Sequence, residues 1–259
     1  MTGASAGTRV RLPVGFVLWA GAAAVSDVGV SVLYIALGWT ASAHGGTAAG
    51  LVIAVITATR TLLLLVGGAV ADRFGARAVM LIGDAGLFVA TAAFAVIALL
   101  IGTPLWLLLL IAFVEGVVSA FYMPASSSLP RRVVPDSNIG RATAVRGVGS
   151  ELAELTGAPL GGLLVATGGF ALAVGVDALT YLPVLLVTLT LRPGRAAPGA
   201  PPNVWRHDLF EGVALVARDP LLRVALALIA VVAATFVPVG AVLIPLVVRS
   251  HGGLQAVPA

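Results

Sequence analysis

The chain has 259 residues, of which 59% are hydrophobic and only 10% charged, with a mean hydropathy of +1.09. A soluble domain is closer to a quarter charged, so this chain has too few charges to cover a water-exposed surface, and an integral membrane protein is implied. The net charge of +4 comes from arginine alone, because the sequence has no lysine, and the absence of cysteine excludes disulfides and thiolate metal sites.

Seven apolar segments follow one another, near 13–38, 47–71, 78–101, 104–124, 142–167, 170–191 and 221–248. Each has about the 20 residues that a bilayer-spanning helix needs. The first begins after Arg9 and Arg11, as a signal peptide does, but it is too long for one and six more segments follow. Segments three and four meet at "IGTPLW", and five and six at "ATGGF". Turns this tight make antiparallel neighbours of the paired helices.

Arginine position sets the orientation. With a cytoplasmic N-terminus, thirteen of the fifteen arginines fall inside, Arg146 among them; Arg249 falls outside and Arg60 lies within a span. Short loops between spans account for a basic balance of this kind, and a nucleic-acid partner is not expected. Trp19, Trp39, Trp106 and Trp205 read as interfacial anchors. His44, His207 and His251 are scattered through loops without metal-ligand spacing, so no metal or cofactor is expected.

Charged residues inside spans are costly and default to function. Asp27 in the first span lies about 20 Å from its inner end, and Arg60 stands about three turns above Asp72 on the second. Glu115 is central in the fourth. Glu151 and Glu154 share one face of the fifth. Together they predict a polar cavity layer or proton pathway, in which Arg60 pairs with one acid and the excess acid exchanges protons or attracts cations; the plainer alternative is neutral structural pairing. Asp84 is expected to support the turn near Arg77, and Asp177 either lines an exit route or makes a helix-end hydrogen bond.

The turn between spans two and three reads "GGAVADRFGARAVML". Gly67, Gly68 and Gly75 permit close helix approach and a tight turn, and Asp72 is placed to accept from Arg77 or from a helix N-terminus. This stretch resembles the signature of the major facilitator superfamily, carried by Gly68, Asp72, Arg73, Gly75 and Arg77, with Ala78 in place of the second closing basic residue. "ELTGAPLGGLL" in span five is similar to the glycine-proline motif of that superfamily's proton antiporters, through Gly157, Pro159, Gly161 and Gly162. "FYMPASSSLPRRVVPDSNIGRATAV" and "LFEGVALVARDPLLR" resemble its enterobactin-exporter-like and macrolide-efflux-like branch. The usual span-four arginine is not evident, and Glu115 stands in that neighbourhood.

The resemblance implies an all-α membrane fold: an N-terminal six-helix bundle over 1–191, a cytoplasmic linker with an interfacial helix over 192–220, and a seventh span with an outer tail over 221–259. It implies alternating access between two bundles, with Asp72 and Arg77 in a cytoplasmic latch and span five as the flexing helix. Ala153, Gly157 and Gly161, four residues apart, give that helix a small-residue stripe. The expected function is proton-coupled efflux of amphipathic small molecules across a bacterial plasma membrane. The expected partners are substrate, protons, lipid, and a C-terminal bundle or second subunit. The alternative is a non-transporting truncated membrane protein, since such transporters have twelve spans; a fragment of a longer chain is the favoured account. A photoreceptor would need a Schiff-base lysine, and an intramembrane enzyme would need histidine in the spans, so neither is expected.

Overall fold

A computed structural model describes residues 12–191, together with 218–221, 223–224 and 228. Five helices carry the described chain: α1 (Val14–Ser42), α2 (Gly46–Phe74), α3 (Ala76–Ile101), α4 (Leu105–Val133) and α5 (Ile139–Thr190). All five are long and apolar enough to cross a membrane. Helix is what such sequences must form in lipid, where every backbone N–H and C=O has to be satisfied within the segment. The linker and most of the seventh span lie outside the described residues. At the edge of that region, the Asp219 carboxylate accepts the Leu221 N–H at 2.8 Å.

Glycine makes the reversals. Gly45, Gly75 and Gly102 stand between consecutive helices with φ of 107°, 87° and 77°, a region that residues with a Cβ avoid. The fourth such residue, Gly169, explains the length of α5. Its 52 residues amount to about 78 Å, more than twice the thickness of a hydrocarbon core. At Gly169 the backbone leaves the helix (φ 72°, ψ −174°), so α5 is two arms, 139–168 and 170–190. This is the "ATGGF" turn expected between segments five and six.

The fourth helix runs well past its expected end at 124, through Pro124 and Pro130 to Val133. Proline removes a helix donor and frees the carbonyl four residues back. Here the Ser126, Ser127 and Ser128 hydroxyls donate to the carbonyls of Met123, Pro124 and Ala125 at 3.1, 3.0 and 2.9 Å. The carbonyl freed by Pro124 is that of Ala120, and α2 packs against it through Gly67, where a Cβ would collide with the Ala120 oxygen.

Packing is closest between α1 and α5 and between α2 and α4. The expected stripe is one of the seams. Ala153, Gly157 and Gly161 are buried; a Cβ on Gly157 would meet Ser31 and the Val28 carbonyl, and one on Gly161 would meet Val32 and Ile35. Gly162 and Pro159, by contrast, are exposed.

Two apolar clusters fill the bundle. One is built on Val32, Leu33, Leu37, Val52, Leu108, Ile111 and Phe170. The other is built on Phe16, Trp19, Met80, Leu129 and Val184. Trp19 is fully buried there, its ring centroid 5.9 Å from that of Phe16. It is therefore a core residue and not the interfacial anchor expected from sequence; the facing helices leave its site no access to lipid. Trp106 is 56% exposed and fits an anchor better.

Gly67→Leu is expected to destabilise the protein by about 2–3 kcal/mol through overpacking against α4, lowering the detergent-solubilised Tm. Gly68→Ala, one residue on, is expected to leave Tm unchanged, because nothing lies within 4 Å of its added Cβ. Equal losses in the two variants would refute the Gly67–Ala120 contact.

Candidate functional site

Between the two apolar clusters lies a layer that every helix supplies with charge. On α1 it falls between Ala23 and Val32, and holds Asp27; on α2 it falls between Ile56 and Ala71, and holds Arg60. On α3 it holds Asp84 and on α4 Glu115. The first arm of α5 brings Arg146, Glu151 and Glu154, and the second arm brings Asp177 and Tyr181. The members of this layer are wired differently from the sequence expectation.

Asp27 and Arg146 make the strongest contact in the layer. Arg146 donates from Nη1 to Oδ2 at 2.5 Å and from Nη2 to Oδ1 at 3.1 Å, a bidentate pair joining α1 to α5. Its Cζ also lies 5.9 Å from the Trp19 ring centroid. Arg146 was counted only among the cytoplasmic-side arginines; it stands two turns inside α5 and pairs with the acid of α1. The sequence did carry a signal, because Arg146 precedes Ala153 by seven residues and so shares the stripe that faces α1.

Arg60 does not close the ion pair expected of it: among the described residues no acid pairs with it, although Glu115 and Tyr34 lie within its electrostatic reach. Glu115 is 3% exposed, and its Oε2 has no hydrogen-bond partner among the described residues. Asp177 is fully buried with both carboxylate oxygens unpartnered. Its Oδ1 sits 2.8 Å from where a Gly29 Cβ would be, directly against the α1 backbone. Asp177 therefore neither lines an exit route nor caps a helix end with its carboxylate. Tyr181, one turn on, interacts with Asp177 and Glu115, and its hydroxyl too lacks a hydrogen-bond partner. Asp84 is buried and faces the Tyr122 hydroxyl of α4, away from the turn it was expected to support.

Glu151 and Glu154 are exposed on the face of α5 turned away from α1. They share that face, as their spacing requires, but they do not join the buried acids.

The turn between α2 and α3 shows a second rewiring. Gly75 supplies the positive φ. Arg77 does not reach Asp72. It donates from Nε to the Thr188 carbonyl at 3.1 Å and from Nη2 to the Leu189 carbonyl at 2.6 Å. A cation there satisfies carbonyls that the end of α5 leaves open. Asp72 is instead 3.8 Å from Arg132 at the end of α4 and is largely exposed. Arg73 lies over the Phe74 ring, with 5.6 Å from Cζ to the centroid. Gly68 has open space around it.

Asp27→Asn and Arg146→Gln are each expected to cost about 2 kcal/mol, the loss of a charge-assisted hydrogen-bonded pair. The double variant should cost less than the sum, since neither charge is then left alone. Thermal unfolding in detergent measures both; strictly additive losses would show that the pair contributes nothing.

No curated protein matches the chain at a significant level. The family description "Major Facilitator Superfamily" matches residues 19–258. That family's members are transporters, and the matched region takes in all the polar-layer residues described above. The chain belongs to the major facilitator superfamily and is a multi-pass membrane protein of the transporter type.

Proposed function

We propose that the protein is a proton-coupled exporter of amphipathic small molecules working by alternating access, in the enterobactin-exporter-like and macrolide-efflux-like branch of its superfamily. The observation that carries the coupling is the polar layer. Glu115 and Asp177 are carboxyls buried inside the bundle, and acids within the membrane default to a functional role such as carrying protons. In this reading the residues up to 191 form a six-span bundle, with the two arms of α5 as its fifth and sixth spans. Residues 192–220 are the linker, and 221–259 open the second bundle.

The substrate path runs along the exposed face of the first arm of α5. Glu151 and Glu154 alternate there with Leu152 and Leu155, which are 56% and 71% exposed. Such a mixed face suits amphipathic, cationic molecules, and a C-terminal bundle or a second subunit closes it from the other side. The N-terminus is placed in the cytoplasm of a bacterial cell. Arg73, Arg77, Arg131, Arg132 and Arg141 gather at one end of the helices, and the turns at the other end carry no arginine. At the arginine end Asp72 and Arg132 act as a latch that parts as the bundles rock.

The test is proton-driven efflux of a dye panel in inverted vesicles, with the chain expressed alone and extended through any downstream reading frame. Asp72→Asn is expected to abolish flux at unchanged expression, and Glu151→Gln/Glu154→Gln to lower uptake of cationic dyes at least tenfold while sparing neutral ones. Dye flux that is indifferent to an imposed pH gradient overturns proton coupling; no flux of any dye from either form overturns the exporter reading.

A further inference from the structure

The turn between α2 and α3 borders a cavity of about 300 Å³. Phe74, Ala78 and Leu81 give it apolar walls, and Arg77 and Arg132 bring two guanidinium groups to it. Ala78 stands where the resembled signature has a second basic residue, so a methyl group lies where a long side chain would take up space. The two cations are differently engaged. Arg77 is held by the Thr188 and Leu189 carbonyls, which take two of the five N–H donors of a guanidinium. Arg132 has only 20% of its side chain exposed, yet it makes no hydrogen bond among the described residues; its approach to Asp72, at 3.8 Å, is longer than one. Asp72 itself is 82% exposed, and Arg73 lies over the Phe74 ring. Three arginines and one acid leave positive charge in excess at this turn.

We infer that this cavity binds the phosphate group of an anionic membrane lipid, held between Arg132 and the spare donors of Arg77. A phosphate diester supplies what the walls lack: acceptor oxygens for a guanidinium fork, and negative charge. The lipid source follows from what adjoins the cavity. Phe74 and Ile82 beside it are 64% and 74% exposed. From Ala78 the outer face of α3 continues through Ile82, Gly86 and Val89, all exposed and three or four residues apart. Nothing lies within 4 Å of a Cβ added at Gly86, so the strip is open there. This apolar strip leads from the turn toward the bilayer centre, the course of an acyl chain whose headgroup sits at the turn. A soluble phosphate has no use for it. Basic pockets at the ends of spans are where anionic headgroups gather. The inference needs only that the turn lies at a membrane interface, and it stands whether or not the protein exports anything.

The experiment incubates the purified full chain in detergent with equimolar phosphatidylglycerol and phosphatidylcholine and measures retained lipid by native mass spectrometry. Phosphatidylglycerol is expected to be retained about fivefold over phosphatidylcholine, the order of one arginine acting on an anionic headgroup. Arg132→Gln should remove that preference by withdrawing the charge, and Ala78→Leu should remove it by filling the cavity with the charges intact. Arg141→Gln, at an exposed arginine of the same end that does not line the cavity, should keep it. Asp72→Asn should raise it, because Arg132 then has no acid beside it. No preference in the unaltered chain, or one that survives both Arg132→Gln and Ala78→Leu, overturns the site. An equal loss in Arg141→Gln overturns it too, since general charge then accounts for the retention. Displacement of the lipid by millimolar inorganic phosphate overturns the lipid as occupant and assigns the cavity to soluble anions. Should a variant fail to fold, phosphatidylglycerol carrying a diazirine near its headgroup decides on the unaltered chain: crosslinks within 74–82 support the site, and crosslinks only elsewhere overturn it.

Discussion

Direct contact between helix backbones is the constraint on which the rest of this structure depends. Apolar side chains gain nothing by leaving lipid for one another, so helices in a membrane associate through close packing. Here the closest packing is at glycine: Gly67 against the Ala120 carbonyl, Gly116 against Ile56, Gly157 and Gly161 against α1, and Gly29 against Thr180 and Asp177. At Gly67, Gly116, Gly157 and Gly29 there is no room for a methyl group and at Gly161 very little, so these contacts fix the register of the helices they join. The charged layer inherits its geometry from these registers. Asp27 meets Arg146 because α1 and the first arm of α5 are locked a few residues further along, at Ser31 and Gly157.

Much of this architecture was legible in the sequence, and for a simple reason. Spans are long apolar runs, and their turns are marked by glycine. The reversals at Gly75, Gly102 and Gly169 fall where the "DRFG", "IGTP" and "ATGG" stretches put them. The small-residue stripe of α5 faces a neighbour as four-residue spacing says it should. The end of α4 was not legible, because proline normally argues for an end. The helix nonetheless continues through both prolines, with three consecutive serine hydroxyls bonding back to the Met123, Pro124 and Ala125 carbonyls and Gly67 of α2 packed on the Ala120 carbonyl, a combination no single-helix rule anticipates.

Depth along the spans was legible in part, whereas the partners were not: Glu151 and Glu154 are exposed, and Arg146, Asp177 and Tyr181 stand in the layer without having been expected there. Asp27, Arg60 and Glu115 do occupy one layer, since depth along a span follows from counting residues. Pairing depends on rotation and register between helices, which counting does not supply. Arg146 fell within the expected fifth span but was counted only as one of the cytoplasmic-side arginines, because the positive-inside rule accounts for arginine near a span end without asking for a partner. Arg77 was paired with Asp72 by proximity in sequence, whereas the open carbonyls at the end of α5, more than a hundred residues away, make better acceptors. Trp19 was read as an anchor from residue type alone, and only the surrounding helices reveal that it is core.

The polar layer draws its organisation from one short stretch of α1. Asp27 takes the guanidinium of Arg146 from the first arm of α5. Gly29, two residues on, accepts Thr180 and Asp177 from the second arm. Ser31 donates to the Glu154 carbonyl of the first arm at 3.4 Å and packs on Gly157. Five residues of one helix therefore touch both arms, and both contacts involve charge. A shift of α1 against the second arm, which would uncover Asp177, would therefore also strain the Asp27–Arg146 pair.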